Sequence, residues 1–178
     1  MDTSSVAGSA KGADGMAAAE AALTADQYLT FQLAGQDYGL PILSVQEIKG
    51  WEQPTRLPYS PAYVQGVINL RGAVVPIVDL RKRFGMGDIE YSPTTVVIVV
   101  KINGPRGRVT AGIVVDAVCG VGNVTAKEMQ AVPEMSAAID SNFISGISTV
   151  EGKMLILLAI ERLVSEALVE QSSADKVA

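Results

Sequence analysis

Two stretches of the sequence decide the fold: GVINLRG at residues 66–72 and GISTVEG at residues 146–152. Both place alternating apolar residues between glycines, and an apolar run follows each of them, at residues 74–80 and 154–160. Self-similarity at a fixed spacing indicates an internal repeat. The match therefore predicts two similar halves, although chance likeness between glycine-flanked hairpins would produce a similar pattern.

A second match extends the repeat upstream, because residues 39–45 resemble residues 112–118. Residues 94–102 and 109–118 flank Asn103-Gly104, a dipeptide typical of hairpin turns. Small antiparallel sheets avoid exposed edges by closing into barrels. We therefore expect an all-β fold of two five-stranded barrels, with short helices, that pack about a pseudo-two-fold axis.

The composition predicts a folded centre between two tails. Residues 1–26 are rich in Ala, Ser, Gly and Asp and contain no aromatic residue, which predicts a disordered tail. Residues 166–178 are expected to form the end of a helix and a frayed terminus. The folded part, residues 27–165, is divided as follows: residues 37–91 in the first barrel, and residues 28–36 with 92–160 in the second.

The residue types present argue against catalysis. The chain has no histidine and one cysteine, Cys119, which excludes a Ser/His/Asp triad, a His-ligated metal and an internal disulfide. No phosphate-binding loop or nucleophile elbow occurs. Cys119 lies in an apolar run and is expected to be buried and inert. Asp79 and Asp116 each end an apolar strand, as turn-forming aspartates do. We expect no enzymatic activity, no cofactor and no metal.

Charge and hydropathy bear on partners and location. Residues 27–164 contain twelve acidic and twelve basic side chains. They therefore carry no net positive charge that would favour nucleic-acid binding. The start of the chain has no basic segment followed by an apolar run, and we expect no signal peptide. The longest apolar run, residues 154–160, is too short to span a bilayer. These features predict a soluble, cytoplasmic protein.

Charged residues within apolar strands mark candidate binding residues. Val45 and Glu47 are two positions apart and therefore lie on one strand face, and Arg71 lies at a strand tip. A glutamate beside exposed apolar groups, with an arginine nearby, could seat an amphipathic helix. Equally, Glu47 and Arg71 could form a surface ion pair of little energetic value. The residues alone leave both interpretations open.

Several longer stretches resemble the CheW family of bacterial chemotaxis coupling proteins. Residues 38–48, YGLPILSVQEI, and residues 64–81, VQGVINLRGAVVPIVDLR, resemble two of its signatures. Residues 95–100 and 112–118 resemble two more, and the likeness extends over about residues 27–165. It implies two intertwined five-stranded barrels of the Src-homology-3 type, in agreement with the repeat, and a non-catalytic role.

The resemblance also implies partners. A protein of this family would bridge the cytoplasmic tip of a chemoreceptor, a methyl-accepting chemotaxis protein, to the regulatory domain of the histidine kinase CheA. It would be cytoplasmic and recruited to membrane-associated receptor arrays, without binding nucleic acid or inserting into the membrane. The family's receptor groove between the barrels would be lined here by Val45, Glu47, Arg71, Val96, Val118 and Val121.

Two alternatives remain at this point. One is a coupling protein of a non-flagellar chemosensory array, which would differ only in the receptors that it serves. The other belongs to a different class and is a small-molecule-binding or enzymatic β-barrel.

Overall fold

The computed structural model describes residues 26–86, 90–104, 107–125, 127–131 and 141–175. Except for Asp26, the predicted N-terminal tail lies outside these residues, as do the last three residues of the chain. Within the described residues, ten strands form two five-stranded sheets, which we name sheet A and sheet B. The all-β prediction is confirmed.

Sheet A combines strands from both ends of the chain. Its strands are β1 (Asp26–Leu33), β2 (Gln36–Pro41), β8 (Ala117–Val124), β9 (Ile144–Val150) and β10 (Lys153–Leu158). Their spatial order is β8-β1-β2-β10-β9. All neighbours are antiparallel except β2 and β10, which run parallel.

Sheet B contains the strands between these two sets. They are β3 (Val45–Gly50), β4 (Val64–Leu70), β5 (Ala73–Asp79), β6 (Val96–Gly104) and β7 (Gly107–Val115). Their order is β3-β6-β7-β5-β4, and the parallel pair is β5 with β7. Sheet B therefore repeats the plan of sheet A, with one parallel pair inside an otherwise antiparallel sheet.

The predicted repeat is confirmed by backbone geometry at two equivalent turns. Between β4 and β5, Arg71 has φ +52° and Gly72 has φ +87°. Between β9 and β10, Glu151 has φ +51° and Gly152 has φ +77°. A left-handed pair of this kind fits the twist of a two-residue hairpin. The two halves thus share turn type as well as sequence pattern.

Each half of the repeat contributes strands to both sheets. The first half places β1 and β2 in sheet A and β3 to β5 in sheet B, and the second half reverses this allocation. The expected division, residues 37–91 in one barrel and residues 28–36 with 92–160 in the other, must therefore be corrected. The chain crosses between the sheets at Ile42–Ser44, a 3₁₀ turn, and again at Asp116. The parallel pairs hold the exchanged strands in place, so the two sheets are intertwined.

Short bridges outside the strands draw each sheet into a curl. The backbone groups of Thr55 exchange two hydrogen bonds of 2.9 Å with Val67 on β4. At the equivalent place in sheet A, Gln130 exchanges bonds of 2.8 and 2.9 Å with Ile147 on β9. Gly66 permits the first bridge, because a Cβ at this position would overlap the Thr55 carbonyl. The segment after each edge strand thereby meets the opposite edge of the same sheet.

The sheets share one hydrophobic core. Its fully buried side chains include Phe31 and Leu40 from sheet A and Ile98 and Ile113 from sheet B. Helix α1 (Leu80–Arg83) follows β5, and helix α2 (Ile160–Asp175) follows β10. Helix α2 buries Leu163 and Val164 in the shared core, while Ala167 packs against Val64 and Val78 of sheet B. A helix that continues from sheet A thus ties it to sheet B.

The β6–β7 hairpin forms as predicted, with its turn two residues later. Asn103 pairs with Arg108 and Gly104 with Gly107, so both residues of the predicted turn belong to β6. The connection consists of residues 105–106, which lie outside the described residues.

Candidate partner-binding site

Glu47 and Arg71 form the ion pair that the sequence left as one of two interpretations. Arg71 Nη2 lies 3.0 Å from Glu47 Oε2, joining β3 to the β4–β5 turn. The Arg71 side chain is 79% exposed and that of Glu47 is 24% exposed. An exposed pair of this kind contributes little to folding stability. The surface ion pair is thus confirmed, and most of the arginine still faces solvent.

Three of the predicted groove residues are half-buried rather than freely exposed. Val45, Val96 and Val118 pack against the core shared by the two sheets. Val45 and Val118 occupy equivalent positions of the repeat, each as one of the first residues after a crossover between sheets. They therefore serve packing as well as any contact that they make with a partner. The expectation that Val45 and Glu47 share one strand face is wrong, because a β-bulge at Gln46 places Val45 on the side of Val100 and Glu47 on the side of Val99.

Val121 lies apart from the ion pair, on β8 of sheet A. It is 57% exposed and lines a cleft of about 540 Å³ together with residues of β1 and the β9–β10 turn. The structure thus brings Glu47 to Arg71 and places the three half-buried valines on one core. That all six residues line one continuous groove stays a prediction.

Cys119 is exposed, contrary to the expectation of a buried thiol. Thr30 pairs with Gly120 and Phe31 with Val118, so Cys119 is the extra residue of a β-bulge and turns towards the cleft. Partial burial raises the pKa of its thiol, and the negative charge of Asp37 raises it further. The apolar sequence around it suggested burial, but a bulge changes which face a side chain occupies.

A buried charge cluster joins the two sheets near the second crossover. Arg81 is 5% exposed and donates to both carboxylate oxygens of the fully buried Asp79, at 3.2 Å each. It also donates to Asp116 Oδ1 at 2.6 Å, and Asp116 Oδ2 accepts the backbone N–H of Ala34 from the β1–β2 turn. Burial lowers the pKa of Arg81, but the two carboxylates outweigh burial and raise it overall.

This cluster extends the sequence interpretation of Asp79 and shows a burial of Arg81 that the sequence does not indicate. Asp79 caps helix α1 by accepting the Arg81 N–H at 3.0 Å, which fits the predicted turn role, but it also holds a buried ion pair. Arg81 begins a run of three basic residues, a pattern that usually marks a solvent-exposed helix face. The ionic partner Asp116 is distant in sequence, so no local pattern in the run itself indicates burial.

The chain matches the CheW-like domain family over residues 27–168. The chain belongs to this family. It is 40% identical over 152 residues to the chemotaxis protein CheW of Klebsiella aerogenes, covering 85% of this chain and 88% of that protein. It is 39% identical over 140 residues to a probable chemotaxis protein CheW of Rhizobium etli, covering 79% and 88%.

A solved structure supports the same assignment. The crystal structure of the scaffolding protein TtCheW from Thermoanaerobacter tengcongensis superposes with a TM-score of 0.70 at 33% identity. The match covers 78% of this chain and 87% of that one. Members of the CheW-like family are scaffolds without catalytic activity, so this chain is a chemotaxis scaffold and not an enzyme.

Among the described residues, no helix has the length and apolar character needed to cross a membrane.

Proposed function

We propose that the protein couples chemoreceptor cytoplasmic tips to the regulatory domain of the histidine kinase CheA. Membership of the CheW-like family supports this role, as do relatives named chemotaxis proteins. In this proposal the protein works in the cytoplasm and reaches the membrane-associated arrays through its receptor contact. Val45, Glu47, Arg71, Val96, Val118 and Val121 are the proposed receptor-contacting residues.

The observation that carries the proposal is the exposed arginine held beside a glutamate. Glu47 lies against the Arg71 guanidinium, and the left-handed turn fixes the arginine backbone. A side chain that is ordered before binding loses less conformational entropy on binding. Such an arginine can donate to a carboxylate on a receptor helix while retaining its bond to Glu47, since a guanidinium has five N–H donors.

An apolar side chain on the same sheet adds to the contact. Val74 follows the Arg71 turn and is 70% exposed, whereas Ile48, which is 44% exposed, lies on the face of β3 opposite to Glu47. An amphipathic helix binds through apolar residues at helical spacing, with charge pairs at the margin. An exposed apolar group near a charged pair suits a helix of that kind.

The test is to change Arg71 and compare receptor binding with kinase binding. Arg71→Ala should weaken binding of a receptor-tip fragment at least thirtyfold, equivalent to about 2 kcal/mol, as expected of an interface hot spot. Because the native ion pair is exposed, the free energy of unfolding should change by less than about 1 kcal/mol. Calorimetric titration against the receptor fragment and the kinase regulatory domain measures both contacts.

The matched control is Arg162→Ala, since Arg162 is exposed on α2. It should leave both affinities within about twofold of the unmodified protein, and Arg71→Ala should leave kinase binding equally unaffected. Loss of both partners together with thermal stability would show that Arg71 is structural. Unchanged receptor binding would remove Arg71 from the proposed site.

A second candidate is a coupling protein of a non-flagellar array. The sequence also matches Protein FrzA of Myxococcus xanthus, at 28% identity over 107 residues. Comparing the swimming and surface motility of a strain that lacks the gene distinguishes the two candidates.

A further inference from the structure

The two sheets carry the same strand register at one end but different side chains. In sheet B, Glu47 pairs with Val99 next to a bulge at Gln46. In sheet A, Gly120 pairs with Thr30 next to a bulge at Cys119. Gly120 is therefore the positional equivalent of Glu47. The equivalent of Arg71, as the first residue of the left-handed turn, is Glu151.

These two differences replace an ion pair with an open cleft. Gly120 has no side chain to reach the turn, and Glu151 has the opposite charge to Arg71. Both residues line the cleft of about 540 Å³ described above. Where sheet B places a salt bridge across its end, sheet A leaves space.

The walls of the cleft combine apolar surface with unpaired acidic groups. Val121 of β8 and Met154 of β10 both line it and are 57% and 54% exposed. Among the described residues, Glu151 makes no ion pair. Asp37 Oδ1 is buried without a hydrogen-bond partner. A buried carboxylate oxygen without a donor is costly, which favours a ligand that brings N–H groups.

An organic cation suits the cleft better than a metal ion. Charged lining residues are Asp37, Glu151 and Lys153, giving a net charge of −1. Within the described part of the chain, no three acidic, cysteine or histidine side chains come together as metal ligands. A lysine or arginine supplies several donors on a long apolar stem, and that stem can lie along Val121 and Met154.

We propose that this cleft binds a lysine or arginine side chain of the receptor tip, flanked there by apolar residues. The basic group pairs with Glu151 and Asp37, in the space left open by Gly120, and the apolar neighbours contact Val121 and Met154. The inference rests on the proposed receptor coupling for the identity of the partner. It adds a second electrostatic contact, opposite in sign to the one at Arg71.

The experiment measures receptor affinity in three variants of the full chain: two that neutralise a glutamate and one that reverses its charge. Glu151→Gln keeps the size of the side chain, and its matched control is Glu161→Gln, an exposed glutamate on α2. We expect Glu151→Gln to weaken binding of the receptor-tip fragment about fivefold or more, and Glu151→Lys to weaken it at least twentyfold. Glu161→Gln should change the affinity by less than twofold.

Two further measurements make the test specific: the salt dependence of receptor binding and the affinity for the kinase regulatory domain. Since the contact is ionic, raising the salt concentration should weaken receptor binding less for Glu151→Gln than for the unmodified protein. Binding of the kinase regulatory domain should remain within twofold in all variants. Thermal melting of each variant confirms that it is folded before its affinity is compared.

The outcomes separate this inference from the proposed function. Receptor affinity that is unchanged in Glu151→Gln and Glu151→Lys, but lost in Arg71→Ala, overturns the cleft contact and leaves receptor coupling in place. A loss of kinase binding alone overturns the assignment of the cleft to the receptor. If the fragment binds no form of the protein, the proposed function fails and the inference fails with it.

Discussion

Sheets A and B share a strand plan, yet equivalent positions in them differ in character. The inner face of sheet B is apolar, with Ile68 and Val99 buried. Their equivalents in sheet A are Ser148 and Thr30, which bear hydroxyl groups. The strand register sets where a side chain lies. The residue type decides whether that position is filled by apolar packing, holds an ion pair or is left open to solvent.

The same contrast holds for charge. The first half of the repeat places Asp79 and Arg81 at the end of β5, where the second half has Ala159 and Glu161. Only the first pair is buried together. The buried ion pair therefore has no counterpart in the second half of the repeat. Three pairs of variants test how far the two halves are equivalent.

The largest effect is expected at Arg81. Arg81→Leu leaves the fully buried Asp79 without its ionic partner, and breaking a buried pair typically costs about 3–5 kcal/mol. The equivalent change Glu161→Leu, at an exposed position, should cost less than about 1 kcal/mol. Urea unfolding with linear extrapolation measures both free energies of unfolding.

A third variant shows whether charge is the cause. Asp79→Asn combined with Arg81→Leu removes the unpaired charge, so it should be more stable than Arg81→Leu alone. If Arg81→Leu and Glu161→Leu lower stability equally, the buried cluster does not hold the sheets together.

The second test concerns the glycines that permit the edge bridges. Gly66→Ala places a Cβ against the backbone of Thr55 at φ +139°, so the bridge must move, and we expect a loss of about 3 kcal/mol. At the equivalent Gly146, the nearest atom is Cγ of Met129, 2.6 Å from the added Cβ. Methionine is flexible, and the expected loss is about 1 kcal/mol.

Thermal unfolding of both glycine variants measures the difference. An equal loss in midpoint temperature would mean that the two bridges are equally rigid. A larger loss for Gly146→Ala than for Gly66→Ala would mean that the bridge of sheet A, and not that of sheet B, is the more rigid one.

Much of the fold could be predicted from the sequence, because the repeat is carried by local signals. The alternating stretches at 66–72 and 146–152, each ending in a two-residue turn, predict matching hairpins, and the structure contains them. The exchange of strands between sheets could not be predicted in this way. It depends on parallel pairing between β5 and β7 and between β2 and β10, and such pairing leaves no mark in local periodicity.

One contact of the candidate site could be predicted from the sequence. Glu47 and Arg71 stand out as charged residues in apolar strands, and they do pair. The burial of Arg81 and the exposure of Cys119 were missed, because one depends on a distant aspartate and the other on a bulge. The cleft at Glu151 emerges only when the two halves are compared in register.

The smallest effect, and the one with the opposite sign, is expected at Ser148. Its hydroxyl oxygen is buried without a hydrogen-bond partner, and its side chain replaces the isoleucine of the other half. Burying an unpaired hydroxyl is unfavourable, so Ser148→Ala should raise the free energy of unfolding by about 1 kcal/mol. Ile68→Val, at the equivalent position in sheet B, should lower it by about 1 kcal/mol through loss of a packed methylene. Chemical denaturation of the two variants under one set of conditions measures both signs. A destabilised Ser148→Ala would mean that the serine hydroxyl is bonded in solution, and this position of sheet A would then be as well satisfied as the apolar position of Ile68 in sheet B.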